Sequence, residues 1–324
     1  MSGAETGGVD EWEIAAGTNV DEAHRSGNRC FKIGAYNQQM RKDLGTTYSE
    51  LYGGFAFYWT TTWGYNSIQL AMWLNGSGTV NMSLGVWPMT GEMIYRGGNN
   101  SAAAMARGGF LKPETWHYLE WYIKFHSSAG IVRLKIDGVQ VIEATGKNTA
   151  VSGSALCRYV RFGGSGTTNN EGMTGYLDDV VIDSAVYPGR VGLYPLLPAD
   201  AGNYAQLTPS TAPNWECVNE VPASDVDYVS SDVLDTIDTY AMSSVVPTAG
   251  TVGTVKWYAR AKTSATTANL ARILRRSATD SQGSDIALTT SYVLLNEMLA
   301  TDPIAVGAWT IANLNASEFG IVVR

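Results

Sequence analysis

Through most of the first half of the chain, hydrophobic and polar positions alternate with a period of two. In GGFAFYWTTT, Phe55, Phe57 and Trp59 alternate with Ala56, Tyr58 and Thr60, the pattern of a half-buried strand. SIQLAMWLN repeats it, with Ile68, Leu70, Met72 and Leu74 expected on one face and a stop at NGSG. TVNMSLGVWP and EMIYRG come next at similar spacing. From Pro113 to Gly146 the chain reads as three strands joined by two turns. In the first of these, His117, Leu119, Trp121, Ile123 and Phe125 share one face, and Trp116, Tyr118, Glu120, Tyr122 and Lys124 the other. Val132, Leu134 and Ile136 alternate in the second. Asp137-Gly138 then predicts a type I′ hairpin, a turn that needs positive φ at both central residues. CRYVRFGG and MTGYLDDVVIDS supply two more strands. Short strands punctuated by Gly and Asn, without a helical stripe, point to an antiparallel sandwich or jelly roll.

The pattern breaks where Pro188, Pro195, Pro198, Pro209 and Pro213 crowd a segment with little alternation. Proline holds such a segment extended, which places a domain boundary near residue 190. A second β pattern occupies TYAMSSV, GTVGTVKWYARAK, ANLARILRRS, SYVLLNEMLA and SEFGIVVR, with a bulge expected near Gly253. WTIANLNASEFGIVV reads as a short helical turn feeding the last strand. The expectation is an all-β chain: a jelly-roll domain over 1–188, a proline-rich linker over 189–204 and a smaller β-sandwich over 205–324.

Composition removes several classes. The chain has 324 residues, 16% of them charged, and a formal net charge of −8. A nucleic-acid partner is not expected, because phosphate binding needs a basic stripe. Arg272, Arg275 and Arg276 come nearest to one and read as a solvated strand edge. No apolar run approaches the ~20 residues of a membrane helix, so no membrane partner is expected. Cys30, Cys157 and Cys217 are odd in number and lack metal-ligand spacing, which suits folding in a reducing compartment. The start, MSGAETGGVDEWEI, has neither the basic nor the apolar part of a secretory signal, so secretory export is not expected.

Catalytic constellations are weak. A retaining glycosidase sets two carboxylates ~5–5.5 Å apart. The central strand offers Glu120 alone. Glu11 and Glu13 have the right spacing but lie among few strand formers, and the neighbours Asp178 and Asp179 are expected on opposite faces. None of His24, His117 and His126 sits in a metal or nucleophile motif; GGSG and GGNN read as loop tips. No enzyme and no cofactor is therefore expected. Asp178, Asp179 and Asp183 could bind calcium with loop carbonyls; the competing reading is a strand end whose carboxylates accept loop amides. The aromatic residues are the remaining signal. Tyr58, Trp73, Tyr118 and Tyr122 occupy the polar-side positions of their strands, where rings could stack on a sugar or lie under a loop or another subunit.

GGFAFYW, TWHYLEWYIKF, GIVRLKIDGVQVIEATG, VRFGG and GYLDDVVID, in that order, resemble the concanavalin A-like jelly roll in its laminin G-like form. The resemblance implies a fold shared by lectins, glucanases and structural modules. The chain lacks the two glutamates about an aspartate that laminarinase-type glucanases of that superfamily carry on one strand. The stretch from WECVNEVPASDVDYVSSDVLDTIDTYAM to the C-terminus looks like bacteriophage virion proteins. That resemblance implies a structural protein of a tailed phage, decorating the capsid or attached to the tail and assembled in the bacterial cytoplasm. Its partners would be other virion proteins and copies of itself. The alternative is a lectin-like module for adsorption to host-surface glycan, with a glycoside hydrolase as a remote third. EFGIVVR ends with little charge, so Ile321, Val322 and Val323 are expected to form an edge strand that contacts another subunit. The opposing reading is a central strand already paired on both sides.

Overall fold

In the computed structural model the alternating segments of the first half become, among the described residues, fourteen strands. In chain order they are β1 (Glu13–Ala16), β2 (Thr18–Val20), β3 (Cys30–Ile33), β4 (Gln39–Tyr48), β5 (Glu50–Trp59), β6 (Ile68–Leu74), β7 (Val80–Trp87), β8 (Glu92–Gly97), β9 (Ala104–Phe110), β10 (His117–Lys124), β11 (Gly130–Ile136), β12 (Val139–Lys147), β13 (Cys157–Gly163) and β14 (Gly175–Asp183). The structure describes residues 12–16, 18–20, 23–27, 29–33, 38–60, 68–87, 89–99, 102–163, 174–211, 213–221, 223–245, 249–264 and 267–324. Glu11 lies outside them. The chain divides into two compact units, Met1–Leu193 and Tyr194–Arg324.

The first unit is a sandwich of two seven-stranded antiparallel sheets. The first sheet runs β1-β4-β13-β6-β7-β8-β9 and the second β12-β11-β10-β5-β14-β3-β2. Leu119, Trp121, Ile123 and Phe125 face the core between them, as the alternation predicts. There Trp121 meets Trp73 edge-on at 4.9 Å, and Phe55 meets Phe162 at 5.3 Å. The Tyr95 hydroxyl crosses the core and donates to the Arg133 carbonyl at 3.1 Å. Asp137 (φ 52°) and Gly138 (φ 86°) form the predicted hairpin turn between β11 and β12. At Gly53 a Cβ would lie 2.7 Å from the Val181 carbonyl oxygen and closer still to the Trp121 ring. Only glycine lets that indole lie across β5.

Two features depart from simple alternation. In β6, Gln69 pairs with Gly85 but Ala71 already pairs with Leu84, so Leu70 is an extra, bulged residue. The bulge resets the parity: Ile68 and Leu70 point into the core, and then Ala71 and Trp73 do so. Trp73 is thus a core residue, not an outward one, and Met72 takes its place outside. In β14, three steps from Asp178 to Val181 match two from Ala56 to Gly54, and Asp179 takes φ 51° at this second bulge. Asp178 and Asp179 therefore do not diverge; both are buried and both engage Arg25 and Ser26.

Beyond β14 the chain turns back as a strap, residues 184–193, over the outer face of the second sheet. The Leu193 amide donates to Asp179 Oδ1 at 2.8 Å and to Ser26 Oγ at 3.0 Å; Arg25 Nη1 donates to the Val191 carbonyl at 2.6 Å. Midway, the Gly189 amide donates to Glu120 Oε1 at 3.1 Å, and Tyr187 packs edge-on against Tyr52 at 5.3 Å under Lys135 Nζ. The proline-rich segment is thus more than a linker over 189–204: it starts as this strap and continues as strand β15 (Pro198–Ala205). Pro198 opens an edge strand, where its missing N–H is tolerated.

In the second unit β15 begins a six-stranded sheet. Its path continues through β16 (Ile237–Met242), β19 (Glu318–Val323), β18 (Asn269–Arg276) and the short strand 279–282. A two-stranded ribbon, β17 (Val255–Ala261) with residues 293–299, packs on it through Trp257, Leu295 and Leu299 against Leu274 and Phe319. The ribbon's register is unbroken and it starts after Gly253, so no bulge forms there. Helix α1 (Ile311–Asn315), with Thr310 Oγ1 accepting from the Asn313 amide, leads into β19 as predicted. β19 is central, with partners on both sides, and Val322 is fully buried. Ile321, Val322 and Val323 therefore offer no free strand edge to another subunit. Nor are Arg272, Arg275 and Arg276 a solvated edge: they pair with Glu297, Asp280 and Asp302. No helix of the described residues is long and apolar enough to cross a membrane.

Candidate functional site

Parity and register decide what the outer face of the first sheet presents. Met40, Phe162, Ala71, Leu84 and Tyr95 point into the core, so their strand neighbours point out. One row across six strands reads Glu13, Arg41, Arg161, Met72, Ser83 and Arg96, each paired with the next. The adjacent row carries Gln39 opposite Gly163, then Gln69, Gly85, Ile94 and Arg107, the last four paired in series. On the other side lie Asp43 and Tyr159, again a direct pair. Gly163 takes φ 89°, and a Cβ there would collide with the Gln38 carbonyl oxygen.

Charge on this face differs from the rest of the chain. Arg41 grips Glu13 Oε2 with both Nε, at 2.8 Å, and Nη2. Arg41 also lies 4.6 Å over the Tyr159 ring, which Arg158 approaches from 5.4 Å. Arg158 holds Asp43 with two bonds of 3.0 Å, and that fork draws the carboxyl below its ordinary range. Arg161 donates to the Met72 sulfur at 2.8 Å, and Arg96 to the Ala102 carbonyl. Burial, and next the charge of Arg41, lowers the pKa of Arg161; burial and then Arg107 do the same at Arg96. Arg41 thus lies near Arg161, and Arg107 near Arg96, with Arg41 and Arg107 ion-paired to Glu13 and Glu92.

Among the buried polar atoms there without a hydrogen-bond partner are Gln39 Oε1 and Gln69 Nε2, and the Gln69 residue is 4% exposed. Such groups are exceptions in a folded protein, because each loses its water without replacement. They need a donor and an acceptor respectively.

The residues singled out from the sequence lie elsewhere. Tyr118 and Tyr122 are on the outer face of the second sheet, as their parity predicts, but they are buried, and the strap crosses that face. Tyr122 donates to Glu50 Oε2 at 2.8 Å and stacks 4.5 Å from Tyr52; burial first, then that bond, raises its pKa. Tyr118 lies beneath the Arg25 guanidinium. Tyr58 is half-buried on the same face between Trp116 and Tyr176. Trp73 is in the core. These four rings do not make an open stacking platform. Glu120 is buried beneath Gly189. His117 bridges Asp137 Oδ2, at 2.7 Å, and the Lys112 amide, so both ring nitrogens are engaged. His126 caps its own turn by accepting from the Ser128 and Ala129 amides. Asp178 and Asp179 accept loop hydrogen bonds, and no group of three or more His, Cys, Asp or Glu among the described residues could hold a metal ion.

Apart from Glu13, weighed as half of a carboxylate pair, the residues of the first sheet's outer face were not picked out by sequence. Their signal is polar alternation in QMRKD and RYVRFGG, with Gln39, Arg41 and Asp43 on one strand and Tyr159, Arg161 and Gly163 on another. It becomes a site only once Arg41 is known to pair with Arg161.

No protein-family model matches the chain, and no curated protein matches it. Among solved structures, the cellulose induced protein Cip1 matches 56% of this chain and 94% of its own, at 15% identity and a TM-score of 0.43. The carbohydrate binding module CBM66 from Bacillus subtilis matches over 54% of this chain and 96% of its own, at 10% identity and 0.36. The alginate lyase AlgAT5 of polysaccharide lyase family 7 matches over 55% and 96%, at 8% identity and 0.37. At these scores the likeness assigns no function.

Proposed function

We propose that the sandwich is a carbohydrate-binding module that engages glycan on the outer face of its first sheet. One observation carries this reading: the buried Gln39 Oε1 and Gln69 Nε2, on strands either side of β13, lack a hydrogen-bond partner. A buried polar group left unsatisfied costs about 1–3 kcal/mol. A sugar hydroxyl both donates and accepts, so one ligand type satisfies both atoms. Tyr159, half-buried beside Arg41 and Arg158, is the aromatic ring of this face that a pyranose could meet. The carboxylates of this face, Glu13, Asp43 and Glu92, are each paired with an arginine, which favours binding over acid–base catalysis.

The place in a phage particle rests on the sequence resemblance of the second unit. A module of this kind would serve there in adsorption to a host surface. A glycan array with the full chain tests the binding reading. Retention on a defined set of glycans is expected, lost in the Gln39→Ala/Gln69→Ala double variant and kept in Tyr122→Phe. Absence of retention, retention indifferent to the glutamines, or depolymerisation of the bound glycan would each overturn it.

A further inference from the structure

We infer that, independently of glycan binding, the strand Val293–Leu299 pairs edge to edge with the same strand of a second copy of the chain, antiparallel and centred on Asn296. The ground is how the molecule treats its sheet edges. An edge strand exposes unpaired N–H and C=O groups, and folded proteins blunt such edges with bulges, proline, charge or brevity. Among the described residues, the outer strands of the three larger sheets are all blunted. β1 is four residues long and shifts register between Ile14 and Ala16. β9, β12 and β15 each shift register twice against their partners, and β15 also opens on Pro198. β2 and the strand 279–282 have only three and four residues. The ribbon of the second unit differs. Its seven pairs, from Val255 with Leu299 to Ala261 with Val293, run without a shift. Among the described residues Val293–Leu299 has a strand partner on one side only.

Side chains separate the ribbon's two strands. Trp257, Leu295 and Leu299 face the core of the unit, so Lys256, Tyr258 and Arg260 point outward on β17, and Leu294, Asn296 and Met298 on its partner. Pairing β17 with its own copy about Tyr258 would set Lys256 opposite Arg260, cation against cation. Arg260 is also held by Asp225 of a neighbouring loop. Val293–Leu299 carries no charge on its outer face, where Asn296 is exposed and Met298 is 60% exposed. Paired with its own copy about Asn296, it sets Leu294 opposite Met298, and Asn296 opposite Asn296, a carboxamide that both donates and accepts. On the inner face Leu295 meets Glu297, whose carboxylate Arg272 already holds at 2.8 Å. A shifted centre loses this match: about Leu295, Leu294 would face Asn296, and about Glu297 the two carboxylates would face each other. The pairing is isologous, so it closes at two copies. It also extends a two-stranded ribbon, marginal by itself, to four strands.

Sedimentation velocity of the full chain over a range of concentrations tests the pairing. A concentration-dependent dimer is expected. Asn296→Asp and Asn296→Lys should each weaken it by about fivefold or more, because like charges then face each other across the two-fold axis. An equimolar mixture of the two variants should recover the dimer with one copy of each, and that recovery should fade as salt rises. Asn296 is exposed, so each variant should keep the folded spectrum of the parent protein. A chain that stays monomeric at every concentration would overturn the pairing and leave this edge to a strand of another protein. A dimer indifferent to both substitutions would overturn it by placing the interface elsewhere. Variants that lose the dimer singly and do not regain it when mixed would overturn the two-fold register at Asn296.

Discussion

The two outer faces of one sandwich have been treated in opposite ways. On the second sheet the chain's own strap lies over Tyr118, Glu120 and Tyr122, and the carboxylates beneath it are answered by backbone amides and Arg25. On the first sheet, carboxamide atoms stay unanswered and arginines stand next to arginines. Both faces are rich in the aromatic and polar residues that suggest a binding surface in a sequence. What separates them is the cover and the kind of group left over. Under the strap the carboxylates are answered and, among the described residues, only the Tyr118 and Tyr187 hydroxyls lack a partner, whereas on the first sheet it is carboxamide atoms, beside arginines, that lack one.

The largest effect that can test this contrast is on stability. Asp179→Ala should destabilise the sandwich by about 3–5 kcal/mol, because it strands the Arg25 guanidinium and the Leu193 amide together. Gln39→Ala, which removes an unpartnered carboxamide oxygen, should change stability by no more than about 0.5 kcal/mol. Urea unfolding followed by tryptophan fluorescence compares the two. Similar losses would mean that both faces are structural and would dissolve the distinction.

Next is a pH effect at the strap's anchor. Burial, and then the charge of Asp179, pushes Asp178 up to about 6 from 3.8. The native state therefore takes up this proton more readily than the unfolded chain does. The group's contribution is accordingly best below about pH 4 and is lost as pH rises towards 6, by about 3 kcal/mol at most. Asp178→Asn, which cannot ionise, should gain on the parent protein across that window in unfolding experiments. A gap that stays constant from pH 4 to 6 would show that Asp178 titrates normally.

Packing under the strap gives a smaller effect. A Cβ at Gly54 would lie 2.6 Å from the Tyr118 hydroxyl and 2.8 Å from its Cε1, so Gly54→Ala should cost about 1–3 kcal/mol by pushing the ring into the covered face. Tyr122→Phe is smaller again, about 1 kcal/mol for the bond to Glu50, and should leave glycan retention untouched. Loss of retention in that variant would move the binding site to the strapped face.

Much of the fold was legible in the sequence, and the physical reason is local. The Asp137-Gly138 turn, the core side of β10 and the α1 to β19 junction depend on neighbours within a few residues. The errors share one cause, which is information carried by distant partners. A single bulged residue, Leu70, reversed the side of Trp73. Asp178 and Asp179 converge because of another bulge, visible only against β5. Whether β19 is an edge or a centre depends on strands far away in the chain, as in the pair of Ile237 with Val322. The candidate site is the extreme case. Arg41 and Arg161 are unremarkable alternating positions until the sheet order places β4 beside β13. The covered tyrosines misled for the same reason, since nothing in their own strand announces the strap.

The assignment of glycan binding to the first sheet is tested most directly by hydrogen–deuterium exchange of the full chain with and without a saturating glycan that the array retains. Protection is expected in the segments that build the arginine rows, residues 39–43, 69–72, 83–85 and 159–163, with no change over 118–122 or 184–193. Protection confined to the strap and the tyrosines beneath it would contradict the assignment and place the binding surface on the second sheet.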